Sequence, residues 1–365
     1  MAASRLRQAL PLLLGGVILA GTVAWSRGAV AQQQEPALNV QFHGFTDSRG
    51  VTVLSPTVDL DRDFTDRTGL RFRFGVDAIS AASDSCIRCH PEGAHNQRVY
   101  TSASFVRKYG DTSVTLGGEV SKEQFYLANT AMTSISRTFN DANTTVAGGY
   151  SFSWNRPGLH PSEVAENQFA QNAYVSLTQT LTRSTIAQVG YELSTINGYQ
   201  SNPFLRALLN GVRTLGEAPD HRLRHTLTAR LRQALPKDTY LEGDYRYYTD
   251  DWDLTAHSFS VGLSHYVTPH WLVSGTYRQH TQTGTFFYAP AYTGSPDFFT
   301  ADFRLFPFDS RLYTGRVVYT PAGRLFSGMF PEGSGVTFQY EYYSADNGFE
   351  AATFSTGLRI PMKRP

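Results

Sequence analysis

Past Gln32, apolar and polar side chains alternate with a period of two. Between Thr68 and Ser80, Leu70, Phe72, Phe74, Val76 and Ala78 share one parity, with Arg71, Arg73, Gly75 and Asp77 on the other. Leu223, Leu227, Ala229 and Leu231 alternate in the same way with Arg224, Thr226, Thr228, Arg230 and Arg232. Leu241, Gly243, Tyr245 and Tyr247 then stand against Glu242, Asp244, Arg246 and Tyr248. The pattern returns in Phe299–Ala301–Phe303–Leu305, Tyr313–Gly315–Val317–Tyr319, Val336–Phe338–Tyr340–Tyr342 and Phe354–Leu358–Ile360. Such a period places one row on an apolar face of a strand and the other on a polar face. Each segment runs for about ten residues, the length a tilted strand needs to cross a bilayer, whereas strands of soluble domains average roughly five or six.

The connections between these segments are of two kinds. Gly110-Asp111, Arg183-Ser184, Pro236-Lys237-Asp238, Thr268-Pro269-His270 and the stretch from Pro307 to Ser310 read as tight turns. Residues 80–96, 123–143, 196–222, 283–297 and 321–333 read as long loops. Outer-membrane barrels carry short periplasmic turns and longer external loops, so 80–96 is expected at the outer rim. The alternation of short and long slips once between Thr112 and Thr182. Either a strand lies within 123–143, or 156–168 is a long periplasmic turn. Backbone facing lipid tolerates no open edge, so such strands must close on themselves. The expectation is an all-β fold: a transmembrane antiparallel β-barrel of about 14–16 strands. Trp154, Tyr248, Trp252 and Trp271, near segment ends, are expected in its aromatic girdles.

Composition narrows the class. Charged residues make up 17% of the 365-residue chain, below the roughly 25% usual in soluble domains. The mean hydropathy is only −0.30, so the deficit is not filled by long apolar runs. Aromatics, at 13%, exclude a disordered chain. A net charge of +1 offers no bulk attraction to nucleic acid. At the N-terminus, Arg5 and Arg7 precede an apolar run from Leu10 to Ala24 and a small-residue site at Ala29-Val30-Ala31. Residues 1–31 therefore read as a cleaved secretory signal, and 32–365 as a barrel in the outer membrane of a Gram-negative bacterium, with its lipid as the first partner.

Several segments resemble a known family. Gly198-Tyr199-Gln200-Ser201-Asn202-Pro203-Phe204, the run from Leu223 to Leu235, and Tyr245-Arg246-Tyr247-Tyr248-Thr249-Asp250-Asp251-Trp252 form a series. Ala256-His257-Ser258 and the stretch from Tyr277 to Tyr288 extend it. With Asp77-Ala78-Ile79-Ser80 and Asn143-Thr144-Thr145, these are similar to a bacterial domain-of-unknown-function family of outer-membrane β-barrels. The resemblance implies the barrel fold and its location. It implies no activity.

One motif carries chemistry of its own. The only two cysteines fall in Cys86-Ile87-Arg88-Cys89-His90, a CxxCH. In an exported protein this is the attachment signature of haem c: each thiol adds across one vinyl group, and the following histidine ligates the iron. Cys86, Cys89 and His90 are thus the candidate haem site, with His90 as axial ligand. His95 is the nearest candidate for the sixth position, and His43, His160 and Met132 are further ones. Two alternatives stand beside it: a Cys86–Cys89 disulfide tying the loop, and a Cys₂His₂ metal site with His90 and His95. No Ser-His-Asp arrangement or nucleophile elbow points to an enzyme.

The resulting expectation is a barrel carrying one covalent haem on loop 80–96. Its role would be electron transfer at the outer membrane, with periplasmic or extracellular cytochromes as partners. A porin-like transport or structural barrel with a disulfide-tied loop is the alternative, and a haem sensor with an open iron position is a third. The stripe Arg224, Arg230, Arg232 and Arg246 faces Glu242 and Asp244 and has two readings: salt-bridged filling of the lumen, or an anion-selective constriction.

Overall fold

The computed structural model describes residues 36–363 apart from 49, 80–95, 124–125, 158–165, 203–204 and 327. Nine strands alternate up and down first: β1 (Ala37–Asp47), β2 (Thr52–Thr65), β3 (Thr68–Ile79), β4 (Asn96–Tyr109), β5 (Thr112–Glu123), β6 (Tyr126–Phe139), β7 (Thr144–Pro157), β8 (Gln168–Thr182) and β9 (Thr185–Gly198). A small hairpin follows, β10 (Arg206–Leu209) with β11 (Val212–Leu215). Next come β12 (His221–Leu235), β13 (Thr239–Asp250), β14 (Thr255–Thr268) and β15 (Trp271–Gln282). A 3-10 turn at Phe303–Leu305 precedes β16 (Phe308–Tyr319), and a second hairpin joins β17 (Arg324–Leu325) to β18 (Phe330–Glu332). The chain ends in β19 (Gly335–Ala345) and β20 (Glu350–Pro361).

Among the described residues sixteen of these strands form one closed antiparallel barrel, and the two hairpins stand outside it. β1 closes the sheet on β20 in unbroken register from Ala37↔Pro361 to Asp47↔Ala351. The expected alternation holds. Phe74, Leu227, Leu231, Tyr245, Tyr313, Phe338 and Phe354 lie exposed on the outer wall, while Arg73, Arg224, Arg246 and Tyr248 line the lumen. A soluble protein would bury the first group; here they form the band that meets acyl chains.

Three tight turns use the same device. Thr65, Thr182 and Thr268 each sit at a register shift one step before a two-residue turn. Each hydroxyl accepts the amide two residues on, from Arg67, Ser184 and His270, at 3.2 Å in all three cases. The side chain replaces a ladder bond that the bulge removes. These turns and those at 110–111, 140–143 and 236–238 share one end of the barrel with both chain termini. The C-terminal ends of β3, β7, β9 and β15 share the other, with the described residues of 199–220 and 283–307.

Of the two alternatives between Thr112 and Thr182 the first holds: Tyr126–Phe139 is a strand within 123–143, and the alternation of turns and loops is restored. Three sequence expectations change. Residues 299–305 are not a strand and 307–310 is not a turn: β16 begins at Phe308. The alternating phenylalanines there pack into a cap, where Phe299 joins Ala207 and Tyr292 in a small buried cluster. The long connection 320–334 lies at the short-turn end. Of the four expected girdle residues, Trp154 and Trp271 are on the outer wall, both 43% exposed. Tyr248 faces the lumen by its parity with Arg246, and Trp252 is turned inward and buried.

Gly198 ends β9 at φ +98°, and a Cβ there would lie 2.2 Å from the Asn167 carbonyl oxygen. Both the conformation and the space demand glycine. Gly198→Ala is expected to destabilise the barrel by about 1–3 kcal/mol, read as a lower midpoint in urea unfolding, whereas Gly243→Ala, with open space around it, should leave the midpoint in place.

Candidate functional site

The lumen is the candidate site, because it gathers the polar parity of every strand. Its main cavity has a volume of about 1150 Å³. Ten arginines line it (71, 73, 98, 222, 224, 246, 278, 304, 316 and 359) against five carboxylates, Asp59, Asp61, Glu119, Glu192 and Asp302. The whole chain, by contrast, is nearly neutral.

The charge is unevenly partnered. Along β2–β5 each arginine that lines the cavity lies near an acid of the neighbouring strand. Arg73 donates to Asp59, Arg71 lies 3.7 Å from Asp61, and Arg98 lies 3.6 Å from Asp77 while donating to Ser121 at 2.8 Å. Across the lumen, Arg222 is also neutralised. Its Nε donates to Asp250 at 2.8 Å and its Nη2 at 2.5 Å, and its guanidinium lies 4.1 Å from the Trp252 ring. Asp250 is fully buried and also accepts from the Tyr248 hydroxyl and the Trp252 and Leu254 amides. Each lone pair is used, which is what a buried carboxylate requires.

Arg224, Arg246 and Arg278 differ. None has a carboxylate within 4.0 Å among the described residues. The Arg224 Nε is shut off from solvent and has no hydrogen-bond partner there. The stripe expected from sequence therefore divides. Arg230 pairs with Asp244 and Arg232 with Glu242, on the short-turn side of the main cavity, as salt-bridged filling. Arg224 and Arg246 stay unpaired, and Arg278, which the periodicity did not single out, joins them from β15. Parity alone could have found it, since Arg278 follows Tyr277 as Arg246 follows Tyr245.

A folded connection roofs this wall. Residues 283–307 run inward, so that Asp302, Arg304 and Leu305 line the cavity. The Tyr292 hydroxyl ties the fold together: it accepts the amides of Ala289 and Thr300 and lies 3.0 Å from the carbonyls of Phe287 and Thr300. Gln282 at the end of β15 donates to the carbonyls of Arg304 at 2.8 Å and Phe306 at 2.6 Å. Arg304 forks onto Asp302, which Asn202 also contacts at 3.5 Å. Burial by itself would raise the Asp302 carboxyl. The Arg304 charge and hydrogen bonds, with that of Asn202, outweigh it and hold Asp302 below the ordinary aspartate range.

The residues expected to carry haem, Cys86, Cys89, His90 and His95, lie outside the described residues, as do His160 and residues 1–35. His43 faces the interior on β1 and bonds Ser355 at 2.7 Å. Met132 lines the cavity from β6.

Comparison with known proteins places the chain. A family model described as a protein of unknown function, DUF3570, matches residues 161–347, just over half of the sequence. The chain belongs to this family. The match contains the segments between 198 and 288 on which the resemblance was strongest, and leaves out Asp77–Ser80 and Asn143–Thr145. No curated protein matches the DUF3570 chain. Among solved structures, OpdK of Pseudomonas aeruginosa with vanillate is 9% identical with a TM-score of 0.50, over 90% of this chain and 98% of that one. A BenF-like porin of Pseudomonas fluorescens Pf-5 is also 9% identical, with a TM-score of 0.46 over 90% and 98%. At such identity the likeness to OpdK is one of fold: the DUF3570 chain is a porin-like barrel.

The depressed Asp302 carboxyl gives a pH expectation. Its pairing with Arg304 is complete above the unfolded aspartate pKa of about 3.9 and is lost only as pH falls through the lower folded value. Asp302→Asn leaves Arg304 unpaired in the cavity at every pH. Single-channel current should then favour anions more strongly than in the wild type at pH 7. Below the folded Asp302 value the two should converge.

Proposed function

We propose that this protein is a passive outer-membrane channel for small hydrophilic solutes. The single observation that carries the reading is the polar, charged cavity of about 1150 Å³ enclosed by a barrel whose outer parity is apolar. A polar lumen inside a lipid-facing apolar band is how a membrane barrel conducts water-soluble molecules. The girdles support the location: the Trp271 and Tyr319 rings meet, tilted, with centroids 4.5 Å apart at the short-turn end, and Phe152, Trp154 and Phe169 cluster at the other. With short turns assigned to the periplasm, the termini are periplasmic and the roof formed by 283–307 lies at the outer mouth. Liposomes holding the purified protein should swell in isosmotic solutions of small neutral sugars, and more slowly as sugar size rises. Swelling no faster than in empty liposomes overturns the reading.

A second reading is a covalent haem on the connection between β3 and β4. The CxxCH spacing favours it, with Cys86 and Cys89 as attachment points and His90 as iron ligand. Periplasmic or extracellular cytochromes would be its electron-transfer partners. In cells that mature c-type cytochromes, the wild-type band on a denaturing gel should stain for haem and Cys86→Ala should not. An unstained wild-type band overturns the haem reading in favour of a loop-tying Cys86–Cys89 disulfide.

A further inference from the structure

We propose that Arg224, Arg246 and Arg278 form a binding track for small oxyanions, carboxylates or phosphates, within the lumen. The inference rests on the channel reading above and names the class of solute that the channel prefers.

Three observations carry it. The first is the absence of carboxylate partners on these three guanidinia among the described residues, in a lumen where the arginines of β2–β5 are each paired. Paired arginines fill space and leave little field. Unpaired ones hold a positive potential in a narrow cavity with low-dielectric walls. The second is the unpartnered, enclosed Nε of Arg224. A guanidinium presents Nε and Nη in a fork that matches a carboxylate or phosphate edge, and the Nε of this one has no partner among the described residues. The third is placement by register. Arg224 pairs across from Asp250, and Arg246 across from Thr228 and Ser258. Ser258 in turn faces His280, two residues beyond Arg278 on β15. Measured along the strands, the three are offset by four and then two residues, about 13 and 7 Å at the usual rise. That is a series of steps, not one cluster, each within reach of a long side chain.

Glu192 faces the track from β9. Arg224 and Arg246 are the cations nearest to it electrostatically, yet neither comes within 4.0 Å. It offsets one charge of the three and keeps a bound anion from being held too tightly to leave, the balance that conduction needs.

The test uses the full-length protein in planar bilayers with potassium chloride, and in detergent for direct binding. A salt gradient should give a reversal potential of anion-preferring sign. Inorganic phosphate and succinate, added separately, should each block chloride current saturably. The half-blocking concentration should rise about tenfold in Arg224→Gln, the size of effect expected when a charged bidentate contact is lost. Arg224→Lys, which keeps the charge but not the fork, should remain weakened. Arg232→Gln, outside the cavity lining, should block as the wild type does. Arg246→Gln gives the same reading if Arg224→Gln does not fold. Wild-type block in Arg224→Lys, unsaturable block or a cation-preferring reversal potential overturns the track. Absence of neutral-sugar swelling overturns the channel instead, and phosphate titration of the detergent-solubilised protein then still decides whether Arg224 holds an oxyanion.

Discussion

The structure depends on one requirement: in hydrocarbon, no backbone N–H or C=O may be left without a partner. Closure of β1 on β20 meets it, because a sheet with free edges would expose a row of unpaired groups to lipid. Everything else follows from that ring. Once it is closed, alternate side chains have only two destinations, the lipid and the lumen. Apolar residues that a soluble protein would hide become the outer surface, and the charged residues become the inner one.

The lumen is then an electrostatic problem solved differently on its two sides. On β2–β5 the ladder sets Asp59 opposite Arg73 and Asp61 opposite Arg71, so charge is cancelled where it arises. On β12–β15 Arg222, Arg230 and Arg232 receive that treatment, and the Asp250 that answers Arg222 is fully occupied by other donors. The remaining arginines keep their charge, and the roof places the Asp302–Arg304 pair beside them.

Much of this was legible in the alternation of the chain. The outward parity of Phe74, Leu227, Tyr245 and Phe338 was readable, as were most tight turns and the inward arginines of β12 and β13. The errors have a common cause. Phe299 to Leu305 alternates as a strand does, but its neighbours are the aromatics of a folded connection. Tyr248 and Trp252 are aromatic at a segment end, yet parity and the Asp250 cluster draw them inside. Residues 123–143 read as a loop because Ser, Thr and Asn interrupt their apolar row, although β6 needs only Leu127, Ile135 and a few neighbours on the lipid side.

The sequence by itself determined the class of fold and the side each residue takes, because a period of two is a local property of extended backbone. It also carries the CxxCH spacing, a motif complete within five residues. Which charges are paired was decided only by the tertiary structure. The partners of Arg73, Arg98 and Arg222 lie on neighbouring strands, and cross-strand register is not written in any one segment. The solitude of Arg224, Arg246 and Arg278 is likewise a fact about the closed ring, since a free guanidinium is defined by what the other strands fail to bring within reach.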